Sequence, residues 1–139
     1  MTSPPATTSG GRELAHPARE EIRLEQVLHA LADPLRLGVV RALASAPEDL
    51  PCGVFALPVS KSTCTHHFRV LRESGVIRQV YRGTAKMNAL RRADLDHLFP
   101  GLLDGVLSAA QEQAGRERED GPPRRTARDR REPRTDPAG

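Results

Sequence analysis

The residues best suited to chemistry lie between Ser60 and Lys86. The run SKSTCTHHFRVLRESG, residues 60–75, sets Lys61, Ser62, Thr65, His66, Arg69 and Arg72 on one side of a helix, with Thr63 beside them. Short hydroxyls, an imidazole and guanidinium groups in one row can donate to phosphate oxygens and read base edges. The segment VIRQVYRGTAKMNAL follows, with Arg78, Arg82, Gly83, Thr84 and Lys86 at and around a turn. That is a basic hairpin tip, suited to an adjacent groove or backbone.

Other reactive types offer weaker arrangements. Cys64 and His67 lie three apart, but Cys64, Phe68 and Leu71 fall at i, i+4 and i+7, which reads as an apolar stripe. A thiol on such a stripe is a packing residue, and burial raises its pKa. His67 reads as a brace against a neighbouring backbone, whereas His66 faces outward. Cys52, in a loop beside Pro51, is the more reactive of the two thiols. Asp94 and His97 sit three apart on a helix, two donors where a zinc site needs about four. The sequence holds no Gly-rich phosphate loop, no Gly-x-Ser-x-Gly and no paired carboxylates spaced for acid–base work, so it reads as a non-enzyme with no cofactor or resident metal.

The elements that must position this surface follow from periodicity. Residues 20–32 place Leu24, Val27, Leu28 and Leu31 on one helical stripe, with acids in the first turn. Asp33-Pro34 stops that helix and starts another over about 34–45, since Asp caps well and Pro at the first position loses no needed N–H. This helix buries Leu35, Val39, Ala42 and Leu43, with Leu37 and Val40 beside them. Residues 45–53 read as a loop, and Val54 to Leu57 as a single helical turn ended by Pro58. A long helix over about 60–75 starts at Ser60 or Ser62 and ends at Gly75, a natural C′ residue. Val76–Tyr81 and Thr84–Leu90 make a hairpin turned at Arg82-Gly83. Pro100 divides the remaining apolar pattern into helices near 92–98 and 100–113.

Charge is unevenly placed. The 139 residues carry a formal charge of +3. Residues 12–59 hold five Arg against seven acids, whereas residues 60–92 hold eight cations against Glu73 alone, a local +7. A patch of this density attracts a polyanion. Arg78, Arg91 and Arg92 would add phosphate contacts and salt dependence. Residues 1–17 and 114–139 offer little to bury and read as a disordered N-terminal arm and a disordered charged C-terminal tail around one folded domain at 18–113. The start lacks an apolar signal core and no apolar run is long enough to span a bilayer, so a cytoplasmic protein with reduced thiols and no membrane partner is expected.

The runs LADPLRLGVVRAL, SKSTCTHHFRVLRESGVI and RQVYRGTAKMNAL resemble the ArsR-type winged helix-turn-helix family of bacterial repressors. The match covers about residues 24–92, most specifically at His67, Leu71, Arg72, Glu73, Gly75 and Ile77, with Asp33-Pro34-Leu35-Arg36 fitting the second helix. The resemblance implies a mainly α fold with a small β-hairpin and helical dimerisation ends. It also implies a homodimer that binds a palindromic duplex DNA operator, and repression released by a ligand. The dimer seam would combine the helix Leu24–Leu31 with the C-terminal helix carrying Leu95, Leu98, Leu102, Val106 and Ala110. Two departures bear on sensing. Members that detect metals often carry Cys-x-Cys in the short helix before the turn, where this chain has Cys52 alone. Others bind metal between C-terminal helices, where Asp94 and His97 are followed by no second His. The inducer, metal, thiol or small molecule, stays open at this point, as does a protein-interaction adaptor that keeps the fold without reading DNA.

Overall fold

The computed structural model describes residues 14–55 and 57–131, with side chains to residue 119. The expected arm over residues 1–13 and the last part of the expected tail, 132–139, lie outside the described residues. The chain divides into two units, the first ending at Leu103.

The first unit contains α1 (Leu24–Leu31), α2 (Pro34–Ser45), β1 (Leu50–Pro51), α3 (Lys61–Glu73), β2 (Ile77–Arg82), β3 (Ala85–Leu90) and α4 (Arg92–Leu98). Short 3-10 turns cover Arg19–Glu21 and Cys52–Val54. The strands form one antiparallel sheet in the order β1-β3-β2. Helices α1, α2 and α3 pack on one another, α2 touches β3 and α3 touches β2. The core is Ile22, Val27, Ala30, Leu31, Val39, Val40, Leu43, Phe68, Leu71, Val76, Ile77, Leu95 and Leu103. Three helices with a sheet formed into a basic hairpin constitute a winged helix-turn-helix.

Local chemistry sets the helix ends. Asp33 caps α2, its Oδ2 accepting from Leu35 N at 2.9 Å and Arg36 N at 3.1 Å, with Pro34 at the first position. Burial works against ionisation of Asp33, but the Arg36 and Leu35 N–H bonds outweigh it, and the nearby Arg36 guanidinium assists, so its carboxyl lies below the usual range. Ser60 caps α3 by accepting from Thr63 N at 3.2 Å. The other end closes in a Schellman motif. There Gly75 N donates to Arg72 O and Val76 N to Leu71 O, with Gly75 at φ +89°. A Cβ at Gly75 would also stand 2.5 Å from Ile22 Cγ1, so the position needs glycine twice over.

Several boundaries and faces differ from the sequence reading. The loop at 45–53 contains β1, whose Leu50 and Pro51 pair with Asn88 and Met87, and the helical turn lies at Cys52–Val54 instead of 54–57. The α1 stripe splits: Val27 and Leu31 are buried with Ala30, while Leu24 and Leu28 are 42 % and 45 % exposed. The short helix packs through only one edge of that stripe. On α2 the inward face is Arg36, Val39, Val40 and Leu43, whereas Ala42 is exposed and Leu35 half-buried. Burial of Arg36 rotates the helix toward this edge. Of the expected N-terminal arm, Ala15, His16 and Pro17 bond to the folded body. Helix α5 spans Leu102–Arg131, past residue 113 where the apolar repeat ends, and begins after Gly101 at φ +84°. From Asp104 it makes up the described part of the second unit.

Candidate nucleic-acid interface

The outward face of α3 carries the expected row. Lys61, Ser62, Thr63, Thr65, His66 and Arg69 are all exposed. Ser62, Thr65, His66 and Arg69 follow i, i+3, i+4 and i+7, so one helical face presents them together. The Ser60 hydroxyl links this end, donating to Thr63 Oγ1 at 3.0 Å and lying 3.3 Å from Ser62 Oγ. Inward, Phe68 and Leu71 are buried, and Phe68 meets Phe55 edge to face at 5.5 Å between ring centroids. The helix is thus anchored on one face and exposed on the other.

Two pins hold α3 in place. His67 is buried, and its Nδ1 lies 3.1 Å from Arg36 Nη1 and 4.0 Å from Asp33 Oδ2. It braces α3 through side chains of α2 and not, as expected from sequence, through a backbone group. Arg36 also donates through Nε to Ala30 O at 2.8 Å and through Nη2 to His29 O at 3.3 Å, satisfying carbonyls at the end of α1. The second pin is Arg72. Helical position sets it with the outward row, but it is half-buried. Its Nη1 donates to Gln79 Oε1 at 2.7 Å and its Nε to Ala15 O at 3.2 Å. Near the end of α3 the helix passes over the sheet, so its guanidinium meets an acceptor on β2 before it reaches solvent.

The wing is β2 and β3 joined at Gly83-Thr84, with Arg82 opposite Ala85 and Gly83 at φ +67°. Arg78, Arg82, Gly83 and Thr84 are exposed. Arg82 approaches Asp49 at 3.7 Å, a loose and largely exposed pair. Lys86 lies over the Tyr81 ring, 5.6 Å from its centroid. Arg91 departs from expectation: it is buried, donating through Nε to Asp94 Oδ2 and through Nη1 to Pro17 O, both at 2.9 Å. It ties the start of α4 to the N-terminal segment. Arg92 pairs with Asp96 at 3.7 Å. Asp94 is therefore engaged by Arg91, while His97 is exposed. Among the described residues, no three His, Cys, Asp or Glu side chains gather closely enough to hold a metal ion.

The sequence reading missed a buried amide network behind the wing. Gln79 and Asn88 are fully buried and opposite one another, and Gln79 Nε2 donates to Asn88 Oδ1 at 2.8 Å. Asn88 Nδ2 donates to Leu50 O at 3.0 Å, holding β1 to β3. With Arg72 this chain of bonds joins α3 to all three strands. The sequence signal was present: Gln79 alternates with Ile77 and so shares its inward face. At the edge of β2, Gln79 N donates to His16 Nε2 at 3.0 Å, which covers an otherwise open strand position. Burial and nearby Arg78 hold the His16 pKa below its ordinary value, with Arg91 and Arg72 assisting against a raising bond at Leu14.

Residues 31–80 match a family model described as a helix-turn-helix domain. An uncharacterized HTH-type transcriptional regulator of Bacillus subtilis (strain 168), YceK, is 31% identical over 81 residues, 57% of this chain and 81% of that protein. Among solved structures, an ArsR family transcriptional regulator shares 22% identity with a TM-score of 0.49, covering 66% of this chain and 96% of that one. An ArsR-like transcriptional regulator from Rhodococcus sp. RHA1 gives 22% identity and a TM-score of 0.47, covering 68% and 90%.

Proposed function

Because the chain belongs to the helix-turn-helix transcriptional regulators, we propose that it is a homodimeric, ArsR-like repressor that reads a palindromic operator through α3 and the wing. The observation that carries this reading is the exposed row of Ser62, Thr65, His66 and Arg69 on a helix pinned from behind, beside a wing bearing Arg78, Arg82 and Thr84. Arg69 and His66 face base edges. Lys61 and the Ser62 and Thr63 hydroxyls, at the start of α3, face the backbone. Arg82 and Lys86 bring the wing to the neighbouring phosphates.

Dimer formation accounts for Leu24 and Leu28, two large apolar side chains exposed on a helix whose neighbours are buried. The apolar repeat of the C-terminal helix contributes a second dimerising surface. A two-fold dimer places its two α3 helices in successive major grooves, about 10 base pairs apart from centre to centre. The described residues include no helix long and apolar enough to cross a membrane, and a cytoplasmic site of action follows from the DNA partner.

Selection of bound sequences from random duplexes tests the whole reading. The expected result is an inverted repeat with that half-site spacing. Diffuse protection across genomic fragments, with no enriched motif, would instead favour an adaptor that uses the fold for protein contacts.

A further inference from the structure

A cavity of about 650 Å³ opens between the Cys52–Gly53 turn, the first half of α3 and the wing. Its volume suits a small organic molecule. Cys52, Cys64, Phe68 and Tyr81 line it together with two cations, Lys61 and Lys86. Both cysteines are free and half-buried. The aromatic walls favour an apolar body, and the two ammonium groups favour a negative charge on it.

The two thiols differ in surroundings. Cys52 Sγ accepts from Asn88 Nδ2 at 3.3 Å and, more loosely, from Gln79 Nε2 at 3.9 Å. Burial pushes the Cys64 thiol up, and the neighbouring Cys52 adds to this. The thiolate is the attacking form in exchange chemistry, and Cys52 is the thiol whose sulfur already has two amide N–H groups pointed at it beside the cavity.

We propose that Cys52 is an exchange site for small anionic disulfides, and that its adduct uncouples α3 from the wing. In the reaction Cys52 gives its proton to solvent and its sulfur attacks one sulfur of the disulfide. A new bond forms between Cys52 Sγ and that sulfur as the original S–S bond breaks. The departing thiolate carries away the electron pair, and the proton lost by Cys52 stays in solvent. Cys52 is oxidised, half of the disulfide is reduced, and no other oxidant is needed.

The adduct's substituent occupies the cavity and displaces the amides of Asn88 and Gln79 from Sγ. Those amides join the three strands and, through Arg72, hold α3. The anion also occupies Lys61 and Lys86, and the cavity wall includes Thr65 and Thr84, all members of the DNA-facing set. This consequence rests on the duplex-binding reading above; the exchange reaction does not.

The test uses the full chain with dithiobis-nitrobenzoate, an anionic aromatic disulfide whose leaving thiolate is coloured, against neutral hydroxyethyl disulfide. Colour release and peptide masses should place the first adduct on Cys52, absent in Cys52→Ser and retained in Cys64→Ser. Relative to the urea-unfolded chain, the folded chain should favour the anionic reagent by about tenfold, and Lys61→Ala with Lys86→Ala should remove that preference. The modified chain should bind the selected duplex about tenfold more weakly, with affinity restored by a thiol reductant. First reaction at Cys64, no preference for the anion, or unchanged affinity after full labelling at Cys52 would overturn the proposal. If the unmodified chain binds no duplex, the DNA reading fails by itself, while the labelling position and rates still decide the exchange site.

Discussion

Arg36 Nη1 donates to His67 Nδ1 across 3.1 Å of buried space, and this bond joins the two helices of the helix-turn-helix. A guanidinium has only donors, so Nδ1 accepts and the imidazole carries its proton on Nε2. The same guanidinium satisfies the carbonyls of His29 and Ala30. One side chain thus ties α1, α2 and α3.

Loss of Arg36 should therefore be costly. Arg36→Ala strands the Ala30 carbonyl and the imidazole and takes one of two donors from His29 O, and urea denaturation should register a loss of about 3 kcal/mol. His67→Ala should cost less, and the double variant should show a coupling of about 1 kcal/mol or more. Additive losses would mean that the two residues stabilise the fold separately.

Gly75 should tolerate no side chain. Gly75→Ala adds a Cβ in the left-handed region and within 2.5 Å of Ile22 Cγ1. The expected loss is at least about 2 kcal/mol by thermal or urea unfolding. Pairing it with Ile22→Ala should recover the steric part and leave the backbone part, of about 1 kcal/mol.

His16 should make stability depend on pH. Its folded-state pKa lies below the ordinary 6.5, so the unfolded chain binds the proton first. The bond from Gln79 N to Nε2 is present above that pH and is lost as pH falls below it. Stability of the wild-type chain should decline as pH falls below about 6.5 more steeply than that of His16→Ala, as read by the urea midpoint. Parallel declines would remove His16 as the cause.

Charge removal on the two proposed DNA elements should act through salt. Arg69→Ala with Arg82→Ala should lower duplex affinity, and each phosphate left without its cation should reduce the slope of log K against log salt by about 0.9. Arg72→Ala should instead show mainly as reduced stability, since Gln79 holds its guanidinium. Asp49→Asn should raise affinity at low salt by freeing Arg82 from its 3.7 Å neighbour. An Arg69, Arg82 double variant with unchanged affinity and slope would remove these residues from the interface.

The elements defined by neighbours in sequence were legible from sequence alone. Asp33-Pro34, the Ser60 cap, the outward row of α3, Gly75 and the wing hairpin depend on spacings of one to four residues or on the freedom of one glycine. The local +7 also needed no fold to be seen. Tertiary structure decided the rest, because the deciding partners are far apart in the chain. Strand β1 exists through pairing with residues near 88, and Ala15, His16 and Pro17 are held by bonds to Arg72, Gln79 and Arg91. Arg36, Arg72 and Arg91 carry the same charge as Arg69, yet an acceptor within reach turned each of them inward. A cation's sequence position shows that it can meet a polyanion; only the packed neighbours decide whether it is already engaged.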